Sequence, residues 1–91
     1  MSSITFEPLG IFGAYVLHRS VKRDDRGSFE RVFDSSEVGS RLSGFSIEQV
    51  NRTVTARAGT VRGLHCQLPP AAEIKLVTCL TGSVFDVIVD L

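Results

Sequence analysis

Short runs of β-branched and aromatic residues, broken every few positions by Gly, Asp, Ser or Pro, recur along the whole chain, and no stretch sustains a 3.6-residue apolar period. This pattern predicts an all-β protein of antiparallel strands. Strands are expected over residues 13–17, 28–33, 45–55, 60–67, 74–80 and 83–91. One helix fits, over residues 35–42, where Asp34 or Ser35 can cap the N-terminus and Glu37 falls near the positive end of the helix dipole. The final segment, Val84-Phe85-Asp86-Val87-Ile88-Val89-Asp90-Leu91, is strongly strand-like and stops on an apolar residue. A sheet edge of that kind invites association, so either a truncated chain or an edge paired with another subunit is expected. No internal repeat or linker-like shift in composition occurs, which predicts one domain over residues 1–91.

Composition narrows the function classes. At 91 residues, 43% hydrophobic and 22% charged, the chain has the make-up of a globular domain rather than a disordered one. Ten Lys and Arg balance ten Asp and Glu, which removes the broad positive field that nucleic-acid binding requires. No apolar run approaches a membrane span and the N-terminus lacks a signal-peptide pattern, so a cytoplasmic address without membrane attachment is expected. Cys66 and Cys79 are too few for a disulfide framework and suit reduced thiols.

Reactive side chains concentrate between positions 49 and 75: Gln49, Asn51, Arg62, His65, Gln67 and Lys75. Strand alternation places Gln49 with Asn51 and His65 with Gln67, and turns Cys66 to the other side, against a Cys–His nucleophilic pair. Lys75 lies on an otherwise apolar strand, an expensive place for an ammonium unless it is paired or faces a solvent-filled hollow. Asp86 can hold that ammonium or stand in solvent. Arg62 and His65 are three apart and meet one ligand only if Gly63 breaks the regular strand with a bulge or twist.

Cupin-type barrels carry a Gly-x5-His-x-His motif followed by a Glu and, after six residues, a Gly. Gly59 and His65 fit the start of it. Gln67 then stands in place of the second His, and Lys75, six residues before Gly82, in place of the Glu. A cation in place of an anionic ligand repels a divalent metal, so no metal and no other cofactor is expected. A neutral imidazole and an ammonium suit a different task. His65 can remove a carbon-bound proton beside a carbonyl while Lys75 stabilises the resulting enolate oxygen. Arg26, Arg62, Gln49 and Asn51 add the donors that a phosphate-bearing or sugar substrate uses.

The string Val61-Arg62-Gly63-Leu64-His65-Cys66-Gln67-Leu68-Pro69-Pro70, followed by Lys75-Leu76-Val77, resembles the signature of the dTDP-4-dehydrorhamnose 3,5-epimerase family. Asp25-Arg26-Gly27-x-Phe29, Gln49-x-Asn51 and Gly82-x3-Asp86-Val87-x-Val89-Asp90 support the likeness. The resemblance implies a jelly roll of the cupin type, present here as its N-terminal portion, and a homodimer with exchanged N-terminal strands. It implies cofactor-independent epimerisation of a nucleotide-linked 4-keto-6-deoxy sugar, dTDP-4-dehydro-6-deoxyglucose to dTDP-4-dehydrorhamnose, in dTDP-rhamnose biosynthesis. His65 is then the general base and Lys75 the enolate stabiliser, with Arg26, Gln49, Asn51 and Arg62 binding substrate. The Tyr that returns the proton and the Asp that orients the histidine would lie beyond Leu91, so the chain as written is expected to lack epimerase turnover.

Two departures bear on specificity. Arg31 stands where the family pattern has Glu, and Ser28 replaces an aromatic that often follows the Arg-Gly pair. A related 3- or 5-epimerase with another nucleotide-sugar preference, a non-catalytic sugar-nucleotide-binding remnant, and a purely structural β-domain are the alternatives.

Overall fold

The computed structural model describes residues 3–91. The chain divides into two units, one formed by residues 1–46 with 88–91 and the other by residues 47–87. Among the described residues, the strands and the helix lie in the first.

Strand β1 (Ile4–Pro8) pairs antiparallel with β2 (Tyr15–Arg19), in a register that sets Ile4 against Arg19, Phe6 against Leu17 and Pro8 against Tyr15. Strand alternation sorts the two faces. Ile4, Phe6, Tyr15 and Leu17 turn inward, and Phe6 meets Tyr15 edge to face at 5.5 Å, a favoured aromatic geometry. Glu7 and His18 occupy the outer face, where Glu7 Oε1 and His18 Nε2 lie 3.1 Å apart.

Strand β3 (Val21–Asp24) pairs with β4 (Gly27–Glu30) across a two-residue turn, Asp25-Arg26. Neither turn residue has a positive φ; Gly27, at φ +139°, takes the conformation that a side chain would resist. An Arg19–Glu30 ion pair of 3.2 Å links β2 to β4.

Helix α1 (Ser35–Gly39) follows, and its start matches expectation: the Asp34 carboxylate accepts bonds from the backbone N–H groups of Ser36 and Glu37, each 3.0 Å. The helix stops at Gly39 instead of running to residue 42. Gly39 and Ser40 are weak helix formers; past them the Arg41 and Leu42 N–H groups both donate to the Val38 carbonyl, at 3.1 and 2.9 Å, in a closing turn, and the Ser40 hydroxyl donates to the Glu37 carbonyl at 2.7 Å. Glu37 itself ties α1 to the chain start, accepting from the backbone N–H and hydroxyl of Ser3 at 2.8 and 2.7 Å. Among the described residues Ile4 and Val38 are the buried hydrophobic side chains, one from β1 and one from α1.

The all-β class holds, and the strand inventory needs correction. Of the six expected strands, the one at residues 13–17 appears shifted to Tyr15–Arg19 and the one at 28–33 as Gly27–Glu30. Residues 45–55, 60–67, 74–80 and 83–91 form no backbone ladder. Their composition suits strands, but a strand exists only through a partner, and without one the apolar side chains stand in the open, as with Val61 at 86% and Phe85 at 92% exposure. β1 and β3 were not foreseen, because β1 ends on a proline and β3 is three-quarters charged.

Candidate active site

The segment from Ile47 to Val87 carries five of the six candidate residues, and within it every side chain except Thr78 is exposed. Turns at Ala58-Gly59 and Pro69-Pro70 divide it. The first turn is fastened by the Thr60 hydroxyl, which donates to the Arg57 carbonyl at 2.8 Å. Across the same turn Arg62 Nε donates to Thr55 Oγ1 at 3.3 Å, so Arg62 is directed by a neighbouring hydroxyl.

Gly63 lies outside strand geometry at φ +92°, in a segment that forms no ladder. The His65 ring folds back over it. A Cβ built on Gly63 would stand 3.0 Å from His65 Nδ1, a tight approach that requires the exposed imidazole to shift. His65 is itself exposed.

Lys75 is 46% exposed, and its ammonium lies 3.6 Å from Glu73 Oε1; its ion-pair partner is thus Glu73 and not Asp86. The polar contacts of Lys75 and Arg62 are made to Glu73 and Thr55, not to His65. Gln49 and Asn51 are exposed. Both thiols are free and exposed, and Cys79 Sγ lies 3.5 Å from the carbonyls of Thr81 and Gly82. Among the described residues no group of three His, Cys, Asp or Glu is placed to hold a metal ion, and no helix is long and apolar enough to cross a membrane.

Arg26, the sixth candidate, belongs to the first unit and sits at the tip of the β3–β4 hairpin. An open concavity of about 450 Å³ lies there, lined by Lys22, Arg23, Asp24, Arg26 and Phe29 among others. Arg26 Nη2 and Nε donate to Asp24 Oδ2 at 2.7 and 3.2 Å, and the Arg26 backbone N–H donates to Oδ1 at 2.9 Å. The Arg26 guanidinium, then its backbone N–H, hold the Asp24 carboxyl below its ordinary range. Arg31, the departure from the family pattern, has a structural partner: its Nη1 lies 3.9 Å from Asp34 Oδ2, beside the helix cap.

The profile of the family described as dTDP-4-dehydrorhamnose 3,5-epimerase matches residues 8–91. A Streptomyces griseus protein named dTDP-4-dehydrorhamnose 3,5-epimerase is 41% identical over 87 residues, covering 92% of this chain and 42% of its own length. A Sinorhizobium fredii protein of the same name is 37% identical over 90 residues, covering 99% of this chain and 46% of that protein. A Streptomyces niveus protein named dTDP-4-dehydrorhamnose 3-epimerase is 36% identical over 85 residues, covering 92% of this chain and 41% of that protein. The chain therefore spans under half the length of these curated relatives. No solved structure gives a significant match. The profile match takes in His65, Lys75 and the Asp24–Phe29 hairpin tip alike, and on it the chain belongs to the dTDP-4-dehydrorhamnose 3,5-epimerase family.

Proposed function

We propose that the chain acts in the epimerisation of a nucleotide-linked 4-keto-6-deoxy sugar, dTDP-4-dehydro-6-deoxyglucose going to dTDP-4-dehydrorhamnose, by cofactor-independent proton transfer. Neutral His65 removes the proton from the carbon beside the ketone, the Lys75 ammonium stabilises the enolate oxygen left behind, and inversion is completed when an acid on the opposite face, the role that the family resemblance gives to a Tyr outside residues 1–91, returns a proton to that carbon. Arg26, Gln49, Asn51 and Arg62 bind the nucleotide sugar, the guanidinium groups through the charge-assisted bonds that a diphosphate accepts. Gln67 and Lys75 at the cupin ligand positions support a metal-free mechanism, since neither an amide nor an ammonium replaces an anionic or imidazole ligand.

The observation that carries this is the Arg62-Gly63-Leu64-His65 string with Lys75 ten positions on, inside a family match running over residues 8–91. A jelly roll of the cupin type belongs to the same proposal, with residues 1–91 as part of one such domain. So does a homodimer, which rests on the resemblance to the family. The free thiols of Cys66 and Cys79 support a reducing, cytoplasmic site of action.

Incubation of dTDP-4-dehydro-6-deoxyglucose with the protein in D2O, followed by NMR at C3 and C5, tests the reaction. Deuterium entering at both carbons is the expected result. Entry at C3 alone would assign the narrower reaction named for the Streptomyces niveus relative. Substrate binding without any exchange would leave a binding role and remove the catalytic one.

A further inference from the structure

The β3–β4 hairpin tip contains a device that the proposed chemistry does not by itself require. The Arg26 side chain is 86% exposed, and a guanidinium so placed would ordinarily sample many rotamers. Here one carboxylate takes three bonds from Arg26, two of them from the guanidinium. Asp24 Oδ1 takes the Arg26 backbone N–H, closing an Asx turn that fixes the loop, and Oδ2 takes the Nε and Nη2 protons, fixing the side chain. In the strand register Lys22 and Phe29 are directly opposed and share a face with Asp24. The tether therefore draws Arg26 toward the face that carries a second cation and an aromatic ring, the latter 64% exposed.

The contact uses one edge of the guanidinium. Of its five N–H bonds, the Nε proton and one on Nη2 are engaged, while both Nη1 protons and the second on Nη2 remain available. That remaining edge is a fork of parallel donors, the geometry that matches two oxygens of a phosphate.

We propose that Asp24 is a positioning residue for substrate binding, holding the Arg26 guanidinium so that its outer fork is presented to the diphosphate of the nucleotide sugar. This rests on the assignment of Arg26 to substrate binding. Asp24 itself touches no substrate; its effect passes through Arg26, by removing in advance the rotamer freedom that binding would otherwise have to remove.

Titration calorimetry with dTDP as the probe tests it, on the wild-type protein and on Asp24→Asn, Arg26→Gln and the double variant. In Asp24→Asn the side-chain oxygen still accepts the Arg26 backbone N–H, while the amide nitrogen now faces the guanidinium donor to donor. The turn is retained, and the dissociation constant for dTDP rises by roughly two- to tenfold. If Asp24 acts through Arg26, the double variant binds no more weakly than Arg26→Gln alone, which a merely structural role would not produce. Wild-type affinity in Asp24→Asn, or losses that multiply in the double variant, would overturn the proposal. Absence of dTDP binding by the wild-type protein would instead overturn the assignment of Arg26, and this proposal with it.

Discussion

His65 Nδ1 lies 3.0 Å from the point where a side chain on Gly63 would begin. The candidate base is therefore seated beside a glycine whose φ of +92° disfavours any side chain and whose Cβ would press on the imidazole. Gly59, at φ +83°, supplies the control, because a Cβ there meets nothing within 4 Å. Gly63→Ala and Gly59→Ala share the backbone cost of about 1–2 kcal/mol that a left-handed alanine carries. Only the first displaces the imidazole. Gly63→Ala is expected to slow solvent exchange into the keto sugar by at least about tenfold, and Gly59→Ala to leave it near wild type, as NMR exchange rates measured side by side will show.

Lys75 and Glu73 form an exposed pair at 3.6 Å, a geometry that contributes little to stability. Glu73→Gln is expected to shift the unfolding free energy by less than about 0.5 kcal/mol. Lys75→Met removes the cation assigned to the enolate oxygen and is expected to reduce exchange by about 10²–10³-fold with dTDP affinity unchanged. Equal effects of the two substitutions on exchange would mean that Lys75 serves its ion pair and not the enolate.

The α1 cap and the hairpin turn share a pH signature. Asp34 is held below its ordinary value first by the Ser36 hydroxyl and then by the Glu37 backbone N–H, as Asp24 is by Arg26. A carboxyl whose folded-state pKa is depressed adds stability that is complete above its unfolded value, near 3.8, and is lost as pH falls through the folded value. Thermal melts followed by circular dichroism are therefore expected to be flat with respect to these two groups between about pH 5 and 7 and to fall below about pH 4. Asp34→Asn should remove part of the acid-side slope.

Val38 is fully buried on α1, where Glu37 ties the helix to the residues leading into β1. Trimming it to alanine removes two carbons from the interior, at about 0.8 kcal/mol each, so a loss near 1.5 kcal/mol is expected in urea unfolding of Val38→Ala.

Legibility in the sequence followed how local each determinant is. The Asp34 cap was readable because capping needs only a side chain and the two or three N–H groups after it. Gly63 was readable as an irregularity because Arg62 and His65 are one residue out of phase for a strand. Strand pairing is a relation between distant segments, which is why residues 60–67 and 74–80 have strand composition without forming a ladder. Charged β3 was invisible to an apolar-period search yet pairs along its whole length with β4. The Glu73 partner of Lys75 was not legible, because the expected strand begins at residue 74 and the pairing is made in an irregular segment; of the two options for Asp86, the ion pair with Lys75 is not the one formed. Arg31, open in the sequence to either a specificity role or a solvated strand position, lies half exposed with its Nη1 3.9 Å from Asp34 Oδ2.

Exchange in D2O with His65→Asn against wild type bears most directly on the base assigned to this chain. Asparagine keeps a polar side chain of similar reach but cannot accept the carbon-bound proton at neutral pH. Deuterium should enter C3 and C5 of dTDP-4-dehydro-6-deoxyglucose with wild-type protein, and His65→Asn should lower that rate by about 10²–10⁴-fold while still binding dTDP. Exchange continuing at the wild-type rate in His65→Asn would contradict His65 as the base.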